Sequence, residues 1–196
     1  YADSRKLFLW HIQSGETEEF PVPGHLLPHG MAFSPEGRRV AFGGSSGPIY
    51  LMSVKPLGQF KELKGHRAGV DGLAFSPDGK TLLAGDGMGD VILWDMESLE
   101  PRKKIPDAHV NRIRAVAFSP DGRRWASGGE DYKIFIRDSV SNVVLKELRP
   151  PGMSIRCLAF SPDSRFLLSG SALGNAVLWD AATGERVREF GASQHP

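Results

Sequence analysis

Small and bulky apolar side chains alternate in four short runs of this chain, each closing on a phenylalanine. The runs are Gly30-Met31-Ala32-Phe33, Gly72-Leu73-Ala74-Phe75, Ala115-Val116-Ala117-Phe118 and Cys157-Leu158-Ala159-Phe160. Period two marks a β-strand, and because both faces are apolar, both are expected to be buried. The small face lets a neighbouring sheet approach closely, and the bulky face fills the gap on the other side. On this reading Cys157 is a small core residue. After each Phe comes Ser-Pro followed by Glu-Gly, Asp-Gly or Asp-Ser. Pro presets φ, the acid bonds nearby backbone and Gly accepts φ > 0, so the chain turns back into a hairpin.

Seven residues past each Phe stand Val40, Leu82, Trp125 and Leu167, in second strands that end at Gly43, Gly85, Gly128 and Gly170. Trp125 replaces an aliphatic residue there and is read as core. The runs Ile49 to Ser53, Val91 to Asp95, Ile134 to Asp138 and Ala176 to Asp180 are third strands, rich in β-formers. Leu63, Ile105, Leu148 and Phe190 each end a more polar stretch that suits an exposed outer strand. No segment sustains a 3.6-residue period, so helix content is expected to be close to nil.

The unit recurs: Phe33, Phe75, Phe118 and Phe160 are separated by 42, 43 and 42 residues. Such self-similarity means one supersecondary unit stacked on copies of itself, each unable to bury its apolar face alone. Trp10 lies 42 residues before Met52 in the third-strand position. Leu7 to His11 is therefore a third strand and Thr17 to Val22 a fourth, with no first or second strand before them.

Trp94-Asp95, Trp179-Asp180 and Gly65-His66, phased on the AFSPDG phrase, make essentially the whole chain resemble WD-repeat β-propellers. Long AFSPDG runs are especially similar to prokaryotic members. The resemblance implies an all-β propeller of four full four-stranded blades plus an N-terminal half blade, partial or open. The expected units are 1–23 (half blade), 24–64, 65–106, 107–149 and 150–196, all in one domain. Family rings have about seven blades and close with at least about four. Further blades are therefore expected from the parent chain or another subunit. Otherwise an unpaired edge at Leu7 to Trp10 and a bare face on the last blade would invite aggregation.

Composition narrows the chemistry. The chain has 40% hydrophobic and 24% charged residues and no apolar run long enough to span a membrane. A net charge of +1 argues against a protein-wide nucleic-acid footprint, although residues 101–150 hold eleven Lys/Arg against six Asp/Glu. Cys157 is the single cysteine, so an intrachain disulfide, a cysteine zinc site and a redox pair are excluded. Tyr1 is not an initiator Met, and no leader pattern precedes the repeats, so any targeting signal is expected outside these residues.

His109, Ser127 and Asp131 fall within one repeat, the raw material of a Ser-His-Asp hydrolase. The resemblance implies instead a structural hydrogen-bond chain of His, Ser/Thr, Asp and Trp, with Arg137 in the Trp position. Such a buried set stabilises only when every member is satisfied. The second repeat keeps His66 and Trp94 but has Ala84 and Met88; the fourth keeps Ser169 and Trp179 but has Pro151 and Leu173. In the first, Phe42, Ser46 and Met52 fill the last three positions. No blade is complete, so packing is expected to carry stability, with His66 partly satisfied or bonded locally.

Gly85 to Asp90 crowds glycines and carboxylates, but it opens a strand rather than a helix and lacks the ligands Ca²⁺ requires. A hairpin turn accounts for it. The six histidines, His11, His25, His29, His66, His109 and His195, show no metal-ligand spacing. Neither metal nor cofactor is expected.

Function is expected on loops, because the strands are consumed by packing. Four positions before each Phe stand His29, Asp71, Arg114 and Arg156, and six before stand Leu27, Gly69, Arg112 and Ser154. The resemblance places them on the top rim around the channel, joined by Ser45, Gly87, Glu130 and Ala172, with Tyr132 alongside. Arg112, Arg114, Glu130, Tyr132 and Arg156 form a basic, aromatic sector of the kind enriched at binding hot spots. An acidic peptide or phosphopeptide fits it, and solvated rim charges are the bland alternative. Charge reversal at Arg112 and Arg114 is expected to impair capture and spare folding. The chain is read as a non-catalytic interaction scaffold within a larger regulatory or assembly protein. The alternative is a propeller supporting a hydrolase or quinoprotein-like enzyme encoded elsewhere, and nucleic-acid binding ranks third.

Overall fold

A computed structural model describes residues 6–22, 27–55, 60–151 and 154–191. His25, His195 and the end of the last unit near Ala192 lie outside the described residues. Every element is a strand, and the described residues contain no helix.

The first sheet pairs only β1 (Lys6–Trp10) with β2 (Thr17–Pro21). Four antiparallel meanders of four strands follow. These are β3 (Pro28–Phe33), β4 (Arg39–Gly44), β5 (Ile49–Ser53) and β6 (Phe60–Leu63), then β7 (Val70–Phe75), β8 (Thr81–Asp86), β9 (Val91–Asp95) and β10 (Pro101–Ile105). The third meander is β11 (Ile113–Phe118), β12 (Arg124–Gly129), β13 (Ile134–Asp138) and β14 (Val144–Leu148). The fourth is β15 (Ile155–Phe160), β16 (Phe166–Ser171), β17 (Ala176–Asp180) and β18 (Arg186–Phe190). The half blade and four full blades of the sequence pattern are thus present, and the stack is open.

The Ser-Pro-Asp-Gly phrase closes each inner hairpin by local chemistry. Ser76 Oγ accepts from Thr81 N–H at 2.9 Å and donates to Asp78, while Asp78 accepts from Lys80 N–H at 3.0 Å. Gly79 takes φ +70°, a region that costs an L-residue energy. In the last repeat Ser164 occupies that slot at φ +61°. Its hydroxyl accepts from Asp121 N–H at 3.0 Å and its carbonyl accepts from Arg124 at 2.7 Å, two bonds that stitch the third blade to the fourth.

Sheets nest in sequence order. The first strand of each blade lies against the first and second strands of the blade before it. Val70, Ile113 and Ile155, all fully buried, press onto Gly43, Gly85 and Gly128 of the preceding second strand. A Cβ at Gly43 would come within 2.8 Å of Val70 Cβ, and one at Gly128 within 2.7 Å of Ile155 Cγ2. The small face is therefore a requirement of sheet approach, since interiors are close-packed.

Nesting also shows where the sequence expectation of two buried faces fails. Leu73 and Phe75 are each 9% exposed, yet their counterparts Met31 and Phe33 are 60% and 57% exposed. Among the described residues only β1 and β2 precede the first full blade, and no first and second strands of a preceding blade cover Met31 and Phe33. At the other end, Cys157 is exposed, contrary to its reading as a core residue. It lies on the small face of β15, the last inner strand, where no following blade covers it. Leu168 on β16 is open for the same reason. Trp125 is fully buried, and its indole Nε1 donates to Asn142 Oδ1 at 3.1 Å.

Candidate functional site

Equivalent positions in the four full blades bring His29, Asp71, Arg114 and Arg156 to one open pocket of about 360 Å³, lined by the first strand of each blade. The Asp71 side chain is buried and links the blades on either side of its own: Oδ1 lies 2.9 Å from His29 Nδ1, and Oδ2 accepts from Arg114 Nη1 at 2.9 Å. Arg114 also donates from Nε and Nη2 to Glu130 Oε1, at 2.9 and 2.6 Å. A buried carboxylate is costly unless paired and hydrogen-bonded, and this ladder satisfies it across three consecutive blades.

The ladder redistributes the charge expected from sequence. Arg114 is consumed by Asp71 and Glu130 rather than presented to a ligand. Arg112 is looser, its Nε 3.5 Å from Asp71 Oδ2 and its side chain lying over Gly87 of the preceding blade. Arg156 is exposed and makes no ion pair among the described residues. Tyr132 is half exposed and takes φ +64°, in the turn position where two other blades carry Gly89 at +87° and Gly174 at +81°.

Beneath the rim, His109 Nδ1 lies 2.9 and 3.0 Å from the two Asp131 oxygens, and Nε2 lies 2.8 Å from Ser127 Oγ. The connectivity is that of a hydrolytic triad, but the Ser127 residue and the His109 side chain have no exposure, so no carbonyl can reach the hydroxyl. Asp131 also accepts from Val110 N–H and Lys133 N–H, which fixes the loop entering the blade and the turn carrying Tyr132. Burial works to raise the Asp131 carboxyl pKa, but the hydrogen bond and charge of His109 together with the N–H groups of Lys133 and Val110 outweigh it and hold the group below its ordinary value.

Arg137, in the fourth position, does not continue this chain. It packs over Trp125 and Phe135 and donates to Asn142 O at 3.1 Å, while its Nε is an orphan and burial lowers its pKa.

In the second blade sequence reasoning missed Asp86. Fully buried, it meets His66 Nδ1 at 2.9 Å and takes the N–H groups of Met88 and Asp90 at 3.0 Å each. Asp86 sits two residues before the Met88 that replaces the usual acid, and that displaced Asp was the available signal. His66 Nε2 and Trp94 Nε1 remain unpaired, because Ala84 supplies no hydroxyl between them. The fourth blade keeps the other half: Trp179 Nε1 donates to Ser169 Oγ at 2.9 Å. The stretch from Gly85 to Asp90 is a hairpin turn, its first carboxylate consumed by His66 and backbone. Among the described residues no cluster of three His, Cys, Asp or Glu side chains is arranged to hold a metal.

The family profile "WD domain, G-beta repeat" matches residues 57–95, 100–138 and 143–180, more than half of the chain. The chain belongs to the WD-repeat family. Among WD-repeat relatives, Actin-interacting protein 1 of Drosophila melanogaster is 36% identical over 90 residues, covering 45% of this chain and 15% of the relative. Protein groucho of the same organism is 34% identical over 105 residues, covering 50% and 14%. Telomerase protein component 1 of Rattus norvegicus is 26% identical over 216 residues, covering 89% and 8%. The chain thus spans less than a fifth of the length of each. A crystal structure of the mitotic checkpoint complex contains a chain of the same fold, with TM-score 0.88 at 22% identity, covering 97% of this chain and 59% of that one. The enzyme-supporting alternative finds no support in these WD-repeat relatives.

Proposed function

We propose that this WD-repeat chain is a non-catalytic recognition module that takes protein segments on its channel rim. The carrying observation is the division between sealed and open chemistry. The arrangement with triad connectivity is closed to solvent, whereas Arg156 lines the open pocket between the blades, Arg112 is partly exposed beside Asp71 and Tyr132 is half exposed on its turn. A relative named for interaction with actin, and a fold neighbour taken from a complex, agree with a role in protein assembly. The acidic or phosphorylated ligand is retained, with Arg156 and Arg112 as the cations it meets. Arg114, Glu130, Asp71 and His29 serve as the scaffold that holds the rim. The prokaryotic style of the AFSPDG phrase and the five-unit division at 23/24, 64/65, 106/107 and 149/150 belong to the same reading.

The exposed faces at Met31 and Phe33 and at Cys157 and Leu168 are matched to further β-sheet, from the parent chain or another subunit. Buried copies of the same faces elsewhere in the stack support this.

The test is cross-linking mass spectrometry in native extract on wild type and the Arg112→Glu/Arg156→Glu double variant. Loss of cross-linked partners with an unchanged circular-dichroism spectrum is expected. An identical partner set in the variant would refute the rim assignment. Arg114 is left out of the pair, because reversing it would set a third carboxylate against Asp71 and Glu130.

A further inference from the structure

At the opposite end of the strands from the rim positions, a groove of about 360 Å³ runs between the second and third blades. The Ser-Pro-Asp turns of both blades, the outer strand β10 and the β13–β14 turn enclose it, and Leu93, Phe118 and Val140 give it an apolar lining. The pairing of β10 with β9 shifts register between Pro101 and Lys103, a bulge that adds Arg102 to the strand. Both Arg102 and Lys103 line the groove.

Comparison with the equivalent grooves sets this one apart. Lys61, Lys103 and Lys146 are in phase on the outer strands, and Glu97, Val140 and Ala182 are in phase on the next blades' turns. Between the first and second blades Lys61 shares its groove with Glu97. Between the third and fourth, Lys146 lies along Gly184, its Cδ 3.1 Å from where a Cβ would stand. Between the second and third, Val140 stands in place of the acid, 84% exposed, and an arginine joins the lysine. The Arg102 and Lys103 side chains make no hydrogen bond or ion pair among the described residues. Asp78 and Asp121 also line the groove, but each is held by a neighbouring serine hydroxyl and a backbone N–H, with Lys80 beside the first and Arg124 beside the second. Asp95 feels the charge of Arg102, yet its carboxylate is already taken by the N–H groups of Glu97 and Ser98.

We propose that the groove between β10 and the β13–β14 turn seats an extended acidic segment of a partner protein, its carboxylates received by Arg102 and Lys103 and an adjoining apolar side chain lying on Phe118 and Val140. Charge complementarity selects this occupant, because two cations here have no partner of their own. The apolar lining beside them favours a side chain over a sugar-phosphate backbone, which is held by charge alone. This surface is separate from the rim, and its occupation does not depend on what the rim binds.

The probes are fluorescein-labelled: a peptide of Leu, Phe and Glu, one of Leu, Phe and Ser, one of Ser and Glu, and a short oligothymidylate, each read by anisotropy on the full chain. The Leu/Phe/Glu peptide is expected to bind and the other three to fail. Arg102→Ser/Lys103→Ser should weaken that binding roughly tenfold or more and flatten its salt dependence. Val140→Glu, which gives this turn the acid that Glu97 supplies to the groove before it, should abolish binding with an unchanged thermal midpoint. Arg112→Glu/Arg156→Glu should bind the peptide as wild type does. The proposal is overturned if the Leu/Phe/Glu peptide does not bind, if Val140→Glu and Arg102→Ser/Lys103→Ser both bind it normally, or if the oligothymidylate binds as tightly. Binding lost in Arg112→Glu/Arg156→Glu but kept in Arg102→Ser/Lys103→Ser would move the peptide to the rim and likewise remove the groove, while the rim reading itself is decided by the cross-linking result.

Discussion

His109 Nε2 and Ser127 Oγ are 2.8 Å apart inside the third blade, with neither side chain reaching solvent. In a cleft that pair would prepare a nucleophile. Here it joins the entry loop of a blade to its second strand. Ser127→Ala should leave His109 Nε2 buried without a partner and cost about 1–3 kcal/mol, read as a lower denaturant midpoint at unchanged m. Any loss of an esterase activity in that variant would contradict the structural role.

The second blade offers the converse experiment. His66 Nε2 and Trp94 Nε1 are both orphaned, and the third and fourth blades show the two halves of the missing bridge, Ser127 to histidine and Ser169 to tryptophan. Ala84→Ser should place a hydroxyl that donates to His66 and accepts from Trp94, adding about 1 kcal/mol of stability. A lower thermal midpoint in that variant would show that the pocket has no room for the oxygen.

Acid should loosen the blades through their buried carboxylates. Burial raises the pKa of Asp86 and of Asp131, but hydrogen bonds from His66 and His109 and from backbone N–H groups bring both net below the ordinary value. A folded-state pKa below the unfolded one contributes stability that is complete above the unfolded value, near ~3.9, and is lost as pH falls through the depressed value. Thermal midpoints should therefore hold from neutrality down to about pH 5 and then drop. Asp131→Asn should lower the neutral-pH midpoint and flatten that acid limb; an acid limb as steep as wild type's would assign the loss to other groups.

Phe33 and Phe75 occupy the same position in adjacent blades and differ only in what covers them. Phe75→Ala empties a filled core site and should cost about 3–5 kcal/mol. Phe33→Ala removes a side chain that is 57% exposed and should cost under about 1 kcal/mol while improving solubility. Equal losses in denaturant melts would mean that Phe33 is covered in solution.

The strands, turns and phase of this protein were legible in its residues, because a two-residue alternation, a Ser-Pro-Asp-Gly turn and a forty-odd-residue period are local facts that one repeat after another restates. The candidate rim positions were legible for the same reason, since phase alone puts Arg112, Arg114 and Arg156 at one end of their blades. What each rim residue does was not. Arg114 carries the same charge as Arg156, yet one is locked between Asp71 and Glu130 and the other is exposed at the open pocket between the blades. Asp86 took over from Met88 by reaching His66 from two residues away, a substitution that depends on side-chain reach rather than spacing.

Sequence by itself determined the blade: which residues are strand, which turn, and which face is small. Tertiary structure decided the fate of each face, because burial belongs to a pair of neighbouring sheets and not to a strand. Cys157 and Ala115 are read identically along the chain, and only the presence of a following blade seals one and leaves the other open.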